Sequence, residues 1–473
     1  MMEIPCGMQE QFLEAKELIE SSNDIKIYTH TDCDGICSGA ILSIILDRLN
    51  KDYEIEFVNL DEIEDLDLDH KLTIFSDLGS GQGVDKNAKD GQKILILDHH
   101  PPLRDINYKN DKAYTYLEIN PMFYGIDGSY YVCGGGLCYF LAKTFGFKDL
   151  SWIGVLSAIG DMQNNKTGHF EGLNEIIQKD AINEGLLKVT KNDLNIYGRS
   201  TRPLYVALSY FSDVKLPTTN NQQEAKVVLE ELGVDEKHNR KTLSEVTEED
   251  KMEIKKFLSR MISKRVPPKY LKYVPKLIVG DAYTFLNEEE GSFLRDGSEF
   301  STAMNACGRN RKEAIGVDII KGDRLVALDA LEEVSKTHKY NLATSISKVA
   351  DNYHSEIIEL DNFQYFDCSD FDEDIASNII GTITGMVLGY CNWKKPILGF
   401  SKPKNNQIKV SLRCSKLLAY DGIHFGNMMR EIAKEVGGTG GGHAIACGAY
   451  IPNEKKSEFL DKFNRKLQGK IAN

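Results

Sequence analysis

Four short stretches carry residues whose types and spacing could do chemistry on a phosphate ester. HTDCDG (30–35) holds His30, Asp32 and Asp34, and DHHPP (98–102) sets Asp98, His99 and His100 side by side. FSDLGS (75–80) adds Asp77, and AIGDMQ (158–163) adds Asp161. Carboxylate oxygens with a few imidazoles suit Mn²⁺ or Mg²⁺ better than a thiol-bound metal. Asp32, Asp34, Asp77 and Asp161 carry four negative charges, which two divalent cations would balance. Two such ions about 3.5–4 Å apart activate water and clamp a phosphoryl oxygen. The chemistry implied is hydrolysis of a phosphate ester or phosphoanhydride.

Each piece alone has a plainer reading. A D-x-D-G loop is commonly a turn or a helix cap, and a His pair is commonly an ordinary surface feature. Their joint force comes from the elements that must position them. IKIYTH (25–30), YEIEFVNL (53–60), LTIFSDL (72–78) and KILILDH (93–99) read as strands. GICSGAILSIILDRL (35–49) reads as a helix, as do 134–145 and 152–159. Continuous apolar strands of this kind form a parallel sheet covered on both faces. Ligands of open parallel sheets bind beyond the carboxyl ends of the strands. His30, Asp32 and Asp34, Asp77, and Asp98 to His100 all follow strands, and Asp161 ends a helix. Like charges gathered at one rim repel unless cations neutralise them.

The chain has 473 residues, enough for two or three domains with well-buried cores. Ten cysteines without a C-x-x-C pair read as reduced, buried thiols rather than a zinc-thiolate site. The formal net charge of −14 argues against a broad basic surface for duplex DNA and leaves room for a narrow basic slot. No apolar run has the length of a membrane span, and the first twenty residues lack a signal-peptide core, so a cytoplasmic protein without membrane contact is expected.

The expected fold is α/β, a parallel-sheet domain over 1–200 and a smaller α/β domain over 273–473, with a catalytic cleft between them. Residues 201–272 read as a helical connector or insertion. Within them the Lys- and Glu-rich stretch 215–270 reads as solvated helices, with a partner-docking module as the alternative. The strand pattern restarts at PKLIVGDAYTF (275–285), then continues at PILGFSK (396–402) and QIKVSLRC (407–414). A helix over 425–436, a glycine loop GGTGGGH (437–443) and a strand AIACGAYI (444–451) follow. Glycines let backbone N–H groups approach a phosphate closely, and His443 can donate to it.

HTDCDG, SDLGS, DHH and IGD, in this order, resemble the four motifs of the DHH phosphoesterases. The resemblance implies that Asp32, Asp34, Asp77, His99 and Asp161 hold two divalent metal ions, Mn²⁺ first and Mg²⁺ or Co²⁺ as substitutes, with Asp77 as the bridge. It implies that His100 faces the phosphate and that Asp98 orients the histidines. His30 joins the candidate ligands, standing two residues before Asp32 where some members place a histidine four before. GGTGGGHAIACG (437–448) resembles the DHH-associated domain, which implies phosphate contacts from Gly441, Gly442 and His443. Arg413 in VSLRCS is similar to the family's phosphate-binding arginine. NACGRNRKE (305–313) looks like the matching stretch of archaeal RecJ-like proteins, making Arg309 a further phosphate contact.

The resemblance is strongest to archaeal RecJ-like single-strand exonucleases. It implies a hydrolase acting on single-stranded DNA or RNA from an end, in DNA replication, repair or RNA turnover. In that group an insertion near this position can dock a replisome partner, the GINS complex, which makes 215–270 the candidate docking stretch here. Two other readings stand beside it: an oligoribonuclease or small-phosphoester phosphodiesterase of the same superfamily, and a non-catalytic replisome scaffold binding GINS.

Overall fold

Local chemistry and strand order together bring the motif-bearing turns to one edge of a sheet. A computed structural model describes residues 2–471 apart from 61, 64–65, 110–112, 235–240, 351–354 and 369–372. The chain divides into two units, Met1–Asn192 with Asp281–Ser335, and Asp193–Gly280 with Lys336–Asn473.

The first unit is built on five parallel strands: Ile25–His30 (β1), Tyr53–Val58 (β2), Leu72–Ser76 (β3), Lys93–Leu97 (β4) and Thr115–Ile119 (β5). Their order is β2-β1-β3-β4-β5. The apolar runs are continuous because successive side chains feed opposite faces. Ile27, Ile74 and Leu95 join a core with the helices Cys33–Arg48, Gly134–Thr144 and Ser151–Gly160. Tyr28, Phe75, Ile94 and Ile96 face the other way, onto Ile63, Leu68, Val84 and Ala88. Among the described residues no α-helix covers that second face. β5 was not evident from sequence, because its TYLEI carries Glu118 and it forms the sheet edge.

The strand order reverses between β1 and β3, which places their carboxyl ends side by side, with Thr29 opposite Ser76. Ser76 in turn lies opposite Leu97 of β4. The turns holding Asp32, Asp77 and Asp98 are therefore consecutive along one rim.

Residues 281–335 correct the expected boundaries. By their sequence pattern they go with the C-terminal domain, but Phe285, Phe300, Met304, Cys307 and Leu331 complete the core of the first unit. Leu187–Leu194 (β6) and Val279–Phe285 (β7) form a two-stranded ribbon.

The second unit carries a six-stranded mixed sheet, made of Ile358–Glu359 (β8), Gln364–Asp367 (β9), Ile397–Phe400 (β10), Gln407–Arg413 (β11), Thr439–Gly442 (β12) and Ala446–Pro452 (β13). Its order is β12-β13-β11-β10-β9-β8. The stretch 215–270, expected to be a solvated connector, buries one face instead. Val228, Leu229, Ile254, Phe257, Leu258 and Ile262 share a core with Leu398 and Phe400. Their helical spacing was legible, but the dense Lys and Glu content masked it. Residues 235–240 of that stretch lie outside the described residues. Among the described residues no helix is long and apolar enough to cross a membrane.

Candidate metal centre

The rim of the first sheet gathers three overlapping groups of metal-competent side chains: His30, Asp32 and Asp77; Asp34, His99 and Asp161; and Asp77, Asp98, His99 and His100. β1 ends at His30, and Asp32 caps the next helix by accepting the Gly35 N–H at 3.1 Å. Asp34 then falls in the first helical turn and points inward, 2% exposed. Asp77 follows β3 in a left-handed conformation, φ 58°, which takes its side chain out of strand alternation.

Asp34 is held by the glycine-rich start of the helix Gly134–Thr144. Gly134 N–H donates to Oδ2 at 2.8 Å and Gly135 N–H to Oδ1 at 2.7 Å, and the Ser157 hydroxyl also donates to Oδ1. The helix N-terminus suits a carboxylate. Glycine is required there, since a Cβ at Gly134 would stand 2.6 Å from Asp77 Cβ and one at Gly135 2.2 Å from Ser157 Oγ. In the sequence the GGG run signals only the start of a helix.

Asp77 joins two groups. Oδ1 lies 3.2 Å from His99 Nε2, and Oδ2 lies 3.5 Å from His30 Nδ1. Oδ2 is buried, and among the described residues no donor meets it with hydrogen-bond geometry. His30 Nδ1 also lies 3.1 Å from Asp32 Oδ2. His99 donates from Nδ1 to Gly128 O at 2.7 Å, which leaves its Nε2 facing Asp77 and, at 3.6 Å, Asp34.

Asp98 has a different part. It is fully buried and its oxygens are taken by protein donors: Ser80 N–H at 2.9 Å, His99 N–H at 2.8 Å and His100 Nδ1 at 2.8 Å. Burial opposes its charge, but His100 and these donors hold it well below the usual carboxylate range. His100, with 43% of its side chain exposed, is anchored through Nδ1 and keeps Nε2 for another partner.

The electrostatics show a shortage of positive charge. Burial first, then Asp34 and Asp32, push Asp77 well above the usual carboxylate range. Burial, with Asp161 and Asp32, raises Asp34 against the pull of His99 and Ser157. Burial opposes charge on His99 and His30, yet the surrounding carboxylates raise both well above the usual histidine range. Asp32, like Asp98, is held low, by His30 and the Gly35 N–H against the effect of burial. An orphaned buried carboxylate oxygen, crowded acids and an oxygen-and-imidazole donor set fit hard divalent cations.

Arg309 lies in this unit rather than with the C-terminal glycines. It ends the helix Gly297–Arg309, whose Gly308 abuts Thr31 and whose Asn305 Oδ1 accepts the Cys33 N–H at 3.0 Å. Burial lowers the guanidinium's pKa, and Asp32 pulls it the other way. Cys33 is buried and fills the space beside Gly160, where a Cβ would meet its Sγ at 2.5 Å.

In the second unit, Arg413, Gly441, Gly442 and His443 come together at one end of the sheet. Arg413 lies opposite Ala446, Gly442 lies opposite Cys447, and the His443 N–H bonds Ala446 O at 3.0 Å. The expected glycine loop is a strand, β12, paired with β13. Its glycines allow the helix Phe425–Glu435 to sit against the strand, for a Cβ at Gly440 would meet Met429 O at 3.0 Å.

Family models match the chain in three successive places: the DHH family N-terminal domain over residues 24–155, the DHH-CID domain over 196–274 and the DHHA1 domain over 361–469. Uncharacterized protein MJ0831 of Methanocaldococcus jannaschii is 31% identical over 446 residues, 93% of this chain and 92% of that one. The chain belongs to the DHH family. In fold it is similar to CDC45 from Entamoeba histolytica, with TM-score 0.61 and 14% identity over 98% of this chain and 99% of that one. It is also similar to RecJ in complex with Mn²⁺ from Thermus thermophilus, with TM-score 0.54 and 13% identity over 99% of this chain and 55% of that one.

Proposed function

We propose that this protein is a metal-dependent phosphodiesterase that hydrolyses single-stranded DNA or RNA from an end. The observation that carries the reading is the division of Asp77 between two histidine-carboxylate groups, one oxygen toward each. His30, Asp32 and Asp77 would hold one divalent ion, and Asp34, His99 and Asp161, with Asp77 shared, the other. Mn²⁺ is the first choice, in keeping with the ion bound to the RecJ of similar fold. When bound, such ions supply an activated water and neutralise charge on the phosphoryl oxygens.

The remaining parts belong to the protein. Asp98 holds His100 by Nδ1, so that Nε2 is kept for a phosphate oxygen and can donate a proton to it. Arg309 offers its guanidinium beside Asp32, and Arg413, Gly441, Gly442 and His443 bind a terminal phosphate or nucleotide. A setting in the cytoplasm, in replication, repair or RNA turnover, goes with this reading.

A second reading, a replisome scaffold, is favoured by the full mutual coverage with CDC45. The two readings separate in one experiment. The full chain with Mn²⁺ is offered single-stranded DNA and RNA labelled at either end, beside dinucleotides. Stepwise release of label supports the exonuclease. Turnover of dinucleotides alone supports an oligoribonuclease, and no turnover of any substrate supports the scaffold.

A further inference from the structure

Gln163 stands two residues after Asp161 and is buried, 2% exposed. Met162 between them adopts a left-handed φ of 58°, and the Gln163 N–H bonds back to Ala158 O at 3.0 Å. The side chain thereby returns to the centre. Its Nε2 donates to Asp161 Oδ2 at 2.8 Å and to Gly128 O at 2.7 Å. The same Gly128 carbonyl accepts His99 Nδ1–H at 2.7 Å. Gln163 Oε1 accepts from Asn174 Nδ2 at 2.5 Å, and Asn174, 1% exposed, sits in the first turn of the helix Leu173–Asn183. These partners settle which way the amide faces, since the NH₂ meets two acceptors and the carbonyl meets a donor.

We propose that Gln163 is a positioning residue for the ion of the Asp34–His99–Asp161 group. It holds the Asp161 carboxylate directly and the His99 ring through Gly128. Two donors on the Gly128 carbonyl fix its direction, and that direction fixes the His99 tautomer with its lone pair on Nε2. Among the described residues, Gln163 makes no hydrogen bond to His30, Asp32 or Asp77, so its effect belongs to one ion and not the other. The inference rests on the proposed function and adds to it a division of labour between the two ions.

The test is Mn²⁺ binding to the full chain, stripped with chelator, read by calorimetry and by the electron paramagnetic resonance of the bound ions. Gln163→Met keeps the length of the side chain and removes the donor. Wild type is expected to bind two ions. The variant is expected to lose about 10–100-fold in affinity for one, the scale of removing a group that orients a ligand, and to keep the other unchanged. Its melting temperature in EDTA should stay near that of wild type. Asn174→Leu removes the anchor of the amide and should weaken the same ion several-fold; it decides the matter if Gln163→Met does not fold. Unchanged affinity for both ions, or equal weakening of both, overturns the inference. A wild type that binds no Mn²⁺ overturns the proposed function itself, a separate and recognisable failure.

Discussion

Gly308 packs against Thr31 so closely that a Cβ on the glycine would stand 1.7 Å from the Thr31 carbonyl oxygen. The contact joins a helix far along the chain to the turn that carries Asp32. Gly308→Ala must push the two apart, and overpacking of this kind costs roughly 1–3 kcal/mol. We expect lower stability in urea and weaker Mn²⁺ binding, because the turn carrying Asp32 is displaced. A variant with wild-type stability and wild-type Mn²⁺ affinity would show the contact to be slack.

Asp77→Asn separates function from folding. Neutralising the carboxylate removes repulsion with Asp34 and Asp32, so the metal-free protein should be as stable as wild type or more stable, by about 1 kcal/mol. Wild type should gain about 2.7 kcal/mol from Mn²⁺ at a hundred times its dissociation constant, and the variant much less. Hydrolysis should fall on the order of 10³-fold, comparable to loss of a transition-state charge stabiliser. Thermal melts with and without Mn²⁺, beside a nuclease assay, check all three. Undiminished hydrolysis would remove Asp77 from the centre.

The pH dependence of stability should reverse sign with metal. Asp77, Asp34, His99 and His30 all have raised pKa values when folded. The folded metal-free chain therefore holds more protons than the unfolded one. Stability then falls as pH rises above the unfolded values, about 3.9 for Asp and 6.5 for His. Asp32 and Asp98, held low, add a slope only in acid, at pH below about 4. In EDTA the melting temperature should decline from pH 6 to 9, whereas Mn²⁺ competes with those protons and should bind more tightly as pH rises. A flat profile in EDTA would contradict the crowding of charge described for the centre.

Arg104 and Asp85 form a buried ion pair that ties the chain after Asp98–His100 to the chain after Asp77. Tyr108 and Tyr114 hydroxyls donate to the other Asp85 oxygen at 2.7 and 2.6 Å, and Arg104 also donates to Gln82 O at 3.0 Å. Arg104→Met leaves the Asp85 carboxylate buried without its cation, a loss of about 3–5 kcal/mol. Chemical denaturation should read it. Arg104→Met with Asp85→Asn should recover part of the loss, since no charge is then left unpaired. A single-variant loss below about 1 kcal/mol would place the pair among weak surface bridges.

Much of this protein is legible along the chain. β1, β3 and β4 follow from apolar runs buried on two faces, β2 from the alternation of an edge strand, and the helices around them from periodicity. The motifs at 30–34, 77, 98–100 and 161 stand out for the same reason: charge at the end of a buried strand is costly without a purpose. The central place of Asp77 is implied by the family resemblance, but composition and spacing by themselves do not put it between two histidines. That depends on β3 lying between β1 and β4, and strand order is a long-range pairing that composition does not encode.

The tertiary structure alone also moved residues 281–335 into the first unit and turned the glycine loop into a strand. Arg309 illustrates the reason. From sequence it belongs with the nearby C-terminal strands, yet its helix buries Phe300, Met304 and Cys307 in the core of the first unit, and Gly308 fits the turn before Asp32. Gln163 and Asn174 had no signal, since a buried amide looks like any polar residue until its donors and acceptors are paired in space. Sequence determines which residues can carry charge and which must be buried; only packing decides which of them meet.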